Sequence, residues 1–550
     1  MLDRYPSALF GAIRESVSQY RLRDSVCRCV HVARIVSKRS ARLRAYLPDI
    51  HMTTPSTSPR AEGPPDSRMA SGCNYRGRRH VPAEGSVMWH TGINDLPDEL
   101  LLMILSHVAF TDLLDVVPNV CRRWKKLSQD SKLWADREFN IGALWQCYLD
   151  DRKGGGNEQE AIEIFRNIPN LCIVRMWFNV NPLVIQELCD HCPRLAELHL
   201  HPSQQLTYSV LKTLVEKCTR IHTLSAPYKL LKSERCSEAL SQLHNLRVLN
   251  LEPEYKEFDR SSTQEPCLVR PLVNGCPQLA EVDFGFTYIN MEDLRYFLRA
   301  KRNTLRSIRI KWAMGGTSCV PPLLEACTEL ERLELCEDDD FEMVHSIPRE
   351  AFTALGKLKN LQELRISIPI RLPPGVAPLA FKGRGLKRLR KLDIWCGPGL
   401  DNETIIAISR GLPALRELSV CDAKMLSVAA FSEIYRLEQL EILDVTDCRT
   451  LGGALFPYLV GLPRLHTLRM ENMAFARLQP GVSSILELSG VRCLTFDYSV
   501  VAGVPFEKFP EKLVNLRELG VKECQGDPKA IEGLAKRMPG LKIHGVIRPL

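Results

Sequence analysis

Leu195-Ala196-Glu197-Leu198-His199-Leu200 places leucine at the first, fourth and sixth positions of a six-residue phrase. The spacing returns as Leu246, Leu249 and Leu251, as Leu330, Leu333 and Leu335, as Leu440, Leu443 and Val445, and as Leu516, Leu519 and Val521. Weaker copies start at Leu171, Ile221, Leu279, Leu305, Leu361, Leu389, Leu415, Leu465, Val491 and Leu541. Most of these fifteen starts lie about 25 residues apart, a period that signals a stacked array rather than a string of unrelated domains.

In a strand, alternate side chains face opposite sides, so the fourth and sixth positions of the phrase share one face and the residue between them shows on the other. A single strand cannot bury such a face, whereas stacked copies form a continuous parallel sheet. Between phrases the apolar spacing turns helical. Asp527-Pro528 reads as a cap with Pro in the first turn, followed by Ile531, Leu534 and Met538. Asn402 likewise precedes Ile405, Ile406 and Ile408, and Met291 to Leu298 puts Leu294, Phe297 and Leu298 on one side. The expected fold class is α/β: a leucine-rich-repeat horseshoe solenoid over residues 166–550. One strand and one helix are expected per repeat, with strands on the concave face.

Cysteine precedes several phrases, at Cys192, Cys218, Cys276 and Cys327, and follows others at Cys448 and Cys524. This resembles the cysteine-containing class of leucine-rich repeat. Twenty cysteines scattered through apolar phrases read as reduced thiols, which points to a cytoplasmic or nuclear protein. Cys189 and Cys192 form a C-x-x-C around His191, but no second pair follows. Buried repeat cysteines are therefore favoured over zinc or redox chemistry, and neither a metal nor a cofactor is expected.

Ahead of the repeats, residues 94–134 carry a different pattern. Asp95-Leu96-Pro97-Asp98-Glu99 supplies a helix start, and Leu100, Leu101, Ile104, Leu105 and Val108 give an apolar stripe at helical spacing. Thr111 or Asp112 can cap a short second helix, and Val116, Val120, Trp124 and Leu127 suggest a third. Forty such residues bury little core, so the module needs a neighbour or a partner protein to complete its packing.

This segment resembles an F-box: Leu96-Pro97 with Glu99, Ile104-Leu105, Leu113, Val120-Cys121 with Trp124, and Leu133-Trp134 stand where that family's motif expects them. His107-Val108 and Pro118 depart from the pattern. The resemblance implies a small all-α F-box module at 91–140. Its adaptor-binding residues would be Leu96, Pro97, Leu100, Leu101, Ile104, Leu105, Leu113, Val120 and Trp124. It also implies a Skp-type adaptor as partner, and through it cullin, a RING protein and a ubiquitin-conjugating enzyme, while the repeats hold a target protein for ubiquitination. Residues 141–165 read as a linker between the two parts.

Charge narrows the other options. Residues 1–92 hold 15 Lys or Arg against 7 Asp or Glu, which accounts for the whole net charge of +8, and 58 of each sign remain in residues 93–550. The repeats thus give no compositional reason to track a phosphate backbone. Residues 1–90 are expected to be a basic, disordered segment. Arg76-Gly77-Arg78-Arg79 reads as part of a solvated tail rather than a nucleic-acid site, because no aromatic platform accompanies it. Arg14 to Arg44 has some transit-peptide composition, against which stand Asp3, Glu15, Asp24 and Asp49. Translation from Met88 would remove this segment, and residues 1–87 are expected to be dispensable.

The longest apolar run, Leu100 to Phe110, has about half the 20 residues that spanning a bilayer needs, so no membrane partner is expected. No phosphate-binding, nucleophile-elbow or H-E-x-x-H motif occurs, and a non-catalytic receptor is the expected role. The rival reading is a repeat scaffold that assembles no ligase.

The exposed column of the sheet should read Arg175, His199, Ser225, Asn250, Asp283, Arg309, Glu334, Arg365, Asp393, Ser419, Asp444, Arg469 and Thr495. Its middle is richest in anchor types, so Arg309, Lys311, Glu334, Arg365, Asp393 and Trp395 are the expected substrate-binding residues. The acidic stretch Glu337 to Asp340 borders them and could favour a basic target.

Overall fold

The computed structural model describes residues 93–141, 156–202, 204–252, 266–285, 287–311, 313–314, 317–336, 349–368, 374–383, 385–396, 400–475 and 481–549. The amino-terminal segment, Met88 and the stretch Glu337 to Asp340 lie outside them. The chain divides into two compact units: residues up to Glu138 with Asn170–Cys172, and Phe139–Pro169 with everything from Ile173 onward.

The first unit is all-helical: α1 (Asp98–Leu105), α2 (Phe110–Asp115), a 3-10 turn Val117–Asn119, α3 (Arg122–Ser128) and α4 (Ser131–Trp134). Three local expectations need correcting. Pro97 caps α1 from outside, α2 starts at Phe110 so that Thr111 and Asp112 lie inside it, and the third helix breaks around Pro118, whose ring cannot continue a helix. Leu101, Leu105, Leu113, Trp124, Leu127 and Trp134 form the core, with Phe110 edge-on to Trp134 at 5.3 Å.

The second unit is built on one sixteen-stranded sheet whose strands follow chain order, and from Ile173–Met176 to Lys542–His544 neighbouring strands run parallel. Each of the fifteen phrases supplies one strand, and α-helices or 3-10 turns lie between strands. The architecture is an α/β leucine-rich-repeat solenoid. Its interior column runs Leu198, Leu224, Leu249, Val282, Ile308, Leu333, Leu364, Leu392, Leu418 and onward, all fully or almost fully buried. Each such side chain contributes about 1.5–3 kcal/mol by leaving water.

Four features were not read from the phrases. A leading strand, Glu138–Ile141, opens the sheet, and a helix, Gly156–Asn167, begins inside the span read as a linker and runs past its end, because Ala161, Ile164 and Phe165 give it a buried side. The last strand, Lys542–His544, pairs Leu519 with Ile543, so this phrase is one residue shorter than its Leu541 start implies. After Gly411 the expected helix shrinks to 3-10 turns in several repeats, such as Val428–Phe431 and Gly452–Leu455. A run of Phe456, Phe475, Phe496, Phe506 and Phe509, with successive rings 5.0–6.4 Å apart, fills the core beneath these short turns.

The expected helices elsewhere are present: Asp527 caps Pro528–Arg537, and Met291–Lys301 buries Leu294, Phe297 and Leu298. The cap of Asn402–Gly411 is Asp401, which accepts from the Thr404 backbone N–H at 2.9 Å, while Asn402 instead bonds Ser427 in the next repeat. The cysteines before the phrases have a shared role: buried Cys192, Cys218, Cys276 and Cys327 aim their thiols at carbonyls of the preceding repeat, 3.7–4.0 Å away. No helix among the described residues is long and apolar enough to cross a membrane.

Candidate functional site

In the helical unit, Arg123 organises the segment before α1. Its guanidinium donates to Asp98 Oδ1 at 2.6 and 2.8 Å, to the Leu96 carbonyl at 2.6 Å and to the Asn94 carbonyl, while Trp124 Nε1 donates to Asn94 Oδ1 at 3.1 Å. Leu96-Pro97 is thereby clamped to α3. Arg137 closes the other end of α1 by donating to the carbonyls of Leu105 and Ser106 at 3.1 and 2.7 Å, and burial lowers its pKa. Neither arginine was singled out from sequence, since an Arg in a run such as Cys121-Arg122-Arg123-Trp124 looks like surface charge.

On the solenoid, the expected column is in register from strand to strand. Asn250 pairs with Asp283, Asp283 with Arg309, Arg309 with Glu334, Glu334 with Arg365, and Arg365 with Asp393. Their charges form a ladder across the strands. Arg309 Nη1 lies 3.3 Å from Asp283 Oδ2 and its Nε 3.1 Å from Glu334 Oε1; Arg365 lies 3.8 Å from Glu334 Oε1 and 3.0 Å from Asp393 Oδ2. Burial raises the Asp283 carboxyl above its usual range despite Arg309 beside it. Burial also acts to lower Arg309, but Asp283 and Glu334 outweigh it and its pKa is raised. These residues line an open concavity of about 480 Å³ together with Glu281, Arg332 and Lys391.

The family model described as F-box-like matches residues 93–140. Those residues are an F-box-like domain. A putative F-box protein of Arabidopsis thaliana is 24% identical over 167 residues, which cover 28% of this chain; the chain spans about half, 49%, of that relative's length. Among solved structures, an internalin of Listeria monocytogenes is 15% identical with a TM-score of 0.31, covering 74% of this chain and 88% of that one. A Leptospira interrogans leucine-rich-repeat protein is 14% identical with a TM-score of 0.36, over 72% and 100%. The yeast Rad7 and Elc1 complex is 14% identical with a TM-score of 0.34, over 82% and 89%.

Within the F-box-like domain the nine residues grouped by sequence separate into two sets. Leu101, Leu105, Leu113 and Trp124 are buried in its own core, whereas Leu96, Leu100 and Ile104 are half-buried and Pro97 and Val120 exposed. On the sheet face, Arg365 and Trp395 are well exposed and Arg309, Glu334 and Asp393 half-buried. Lys311 ends its strand opposite Cys336, in the row that continues through Ser367 to Trp395. One member of the column departs from the expected exposure: Ser225 is buried, because His199 and Asn250 close over its hydroxyl at 2.8 and 3.3 Å. Cys189 is buried, and its neighbour Cys218 together with burial pushes its thiol pKa up.

Proposed function

We propose that the chain is the substrate-recognition subunit of a Skp-cullin-F-box ubiquitin ligase, with no catalytic chemistry of its own. The F-box-like domain binds the Skp-type adaptor, and the open face of the solenoid holds a target protein for ubiquitination and degradation. The observation that carries this reading is the joining in one chain of that domain with a sheet whose outward column is polar and in register from strand to strand. Apolar residues left outside the domain's core, namely Leu96, Pro97, Leu100, Ile104 and Val120, supply the adaptor surface, since a module of this size gains most by burying them against a partner. On the solenoid, Arg309, Lys311, Glu334, Arg365, Asp393 and Trp395 form the target-binding face.

The test is co-purification with a Skp-type adaptor. Leu96→Ala combined with Pro97→Ala should abolish it while the solenoid keeps its thermal transition. Retained adaptor binding by this variant would sink the assignment. If the native chain itself captures no adaptor, the protein is instead a repeat scaffold outside any ligase.

A further inference from the structure

The open face of the sheet changes character along its length. Between Asp283 and Asp393 each arginine of the ladder is bridged by the carboxylates on both sides of it. On the next strand, Glu417–Cys421, the position beside Asp393 is Ser419 and the position beside Trp395 is Cys421. These two short side chains touch each other, Ser419 Oγ to Cys421 Sγ 3.4 Å. One strand further on, the same column carries Asp444. The small pair therefore floors a trough one strand wide. With strands about 4.8 Å apart, its walls, Asp393 with Trp395 and Asp444, stand roughly 10 Å apart.

Trp395 is 66% exposed, which no internal packing requires. Carboxylates surround the trough: burial pushes the Cys421 thiol up to about 11 against the Ser419 hydrogen bond that lowers it, and Asp444, Asp393 and Asp447 add to the rise. Asp444 Oδ1 accepts from the Thr446 hydroxyl at 2.6 Å, and its Oδ2 lies 3.9 Å from Arg469 Nη1. Arg365 on Asp393, Arg469 on Asp444 and Arg449 on Asp447 are all well-exposed cations. Such surface pairs are worth about 0–1 kcal/mol, so these side chains can swing aside at little cost.

We propose that this trough receives an extended basic segment of the target protein, with one Lys or Arg stem laid against Trp395 and its cationic head between Asp393 and Asp444. The proposal rests on the reading that targets bind the sheet face, and it names their chemistry. Tryptophan is the best partner for a cation over its face, and paired carboxylates match a guanidinium fork. An acidic segment meets like charge from both walls.

The full chain is titrated by fluorescence anisotropy with two labelled nonapeptides, one alternating Arg and Ser and the other Glu and Ser. The Arg peptide should bind at least about tenfold tighter, and rising salt should weaken it. Trp395→Ala should weaken it by about tenfold, as should Asp393→Asn with Asp444→Asn, and Ser419→Arg, which fills the trough with its own cation, should abolish binding. Glu216→Gln on a helix should change nothing, and thermal melts check that each variant is folded. Equal affinity for the two peptides, no binding of the Arg peptide, or binding indifferent to these variants overturns the proposal. A photo-crosslinking residue at 419, compared with one at 216, separates this failure from the broader one. Targets still captured from 419 leave the sheet face in place and overturn only the basic-segment assignment, whereas targets captured only from 216 overturn both.

Discussion

Lys301 is the residue at which local chemistry conflicts most with its surroundings. It is buried, its Nζ donates to the Cys276 carbonyl at 2.5 Å, and burial lowers its pKa from 10.5. Because the folded pKa lies below the unfolded one, the charged form is penalised in the fold: below the folded pKa the penalty is constant, and it fades as pH rises towards 10.5. Lys301→Met should therefore gain most over the native chain near neutral pH, with the gain shrinking towards about pH 10. Thermal melts of both proteins across that range check it, and a difference independent of pH would count against it. Gly453 presents the opposite case, a missing side chain that packing requires. A Cβ there would lie 2.2 Å from Val482 Cγ2 and 3.0 Å from Val482 Cα, so Gly453→Ala should cost about 1–3 kcal/mol by overpacking. At Gly461 the nearest atom would be 3.9 Å away, and Gly461→Ala should be close to neutral in the same denaturant titration.

At the scale of elements, the F-box-like domain shows how a stripe of leucines divides its labour. Leu101 and Leu105 hold α1 to the core, while Leu100 and Ile104 on the same helix stay partly outside. Spacing identifies the helix but cannot say which of its two apolar sides meets the domain's own core. Arg123 decides how Leu96-Pro97 is presented, through two backbone carbonyls and Asp98. The Asp98 pair is exposed and worth little alone, so Asp98→Asn should barely alter adaptor capture, whereas Arg123→Met, which also strips the carbonyls, should weaken it about tenfold or more. A quantitative pull-down of the two variants tests the difference, and equal effects would show that the carbonyl bonds are unimportant. The short turns after Gly411 make the same point in the solenoid: their period matches the earlier repeats, but residues such as Gly452, Gly453 and Pro457 cannot sustain a full α-helix.

For the whole molecule, neighbour-on-neighbour stacking sets the pattern of stability, because each repeat covers the apolar face of the next. The helix Pro528–Arg537 buries Leu534 and turns a largely polar side outward. Deleting residues 526–550 should expose Phe506, Phe509 and Leu519, lower the melting temperature and produce association that grows with concentration. Light scattering and thermal melts check this, and no change in either would show that this stretch is dispensable.

The period of the phrases, read residue by residue, was enough to establish a parallel α/β solenoid and to align Asp283, Arg309, Glu334, Arg365 and Asp393 in one column, and helical spacing marked a separate module earlier in the chain. Those features depend on alternation along a strand and on recurrence of like with like, both of which are local. What only the tertiary structure decided is which apolar residues of the module remain accessible, that Ser225 is covered by its neighbours, that the sheet starts with an extra strand at Glu138, and that two short side chains leave a trough beside Trp395. Each of these depends on the volumes and charges of residues about 25 or more positions apart that pack side by side, and such pairs leave no periodic signal in the chain.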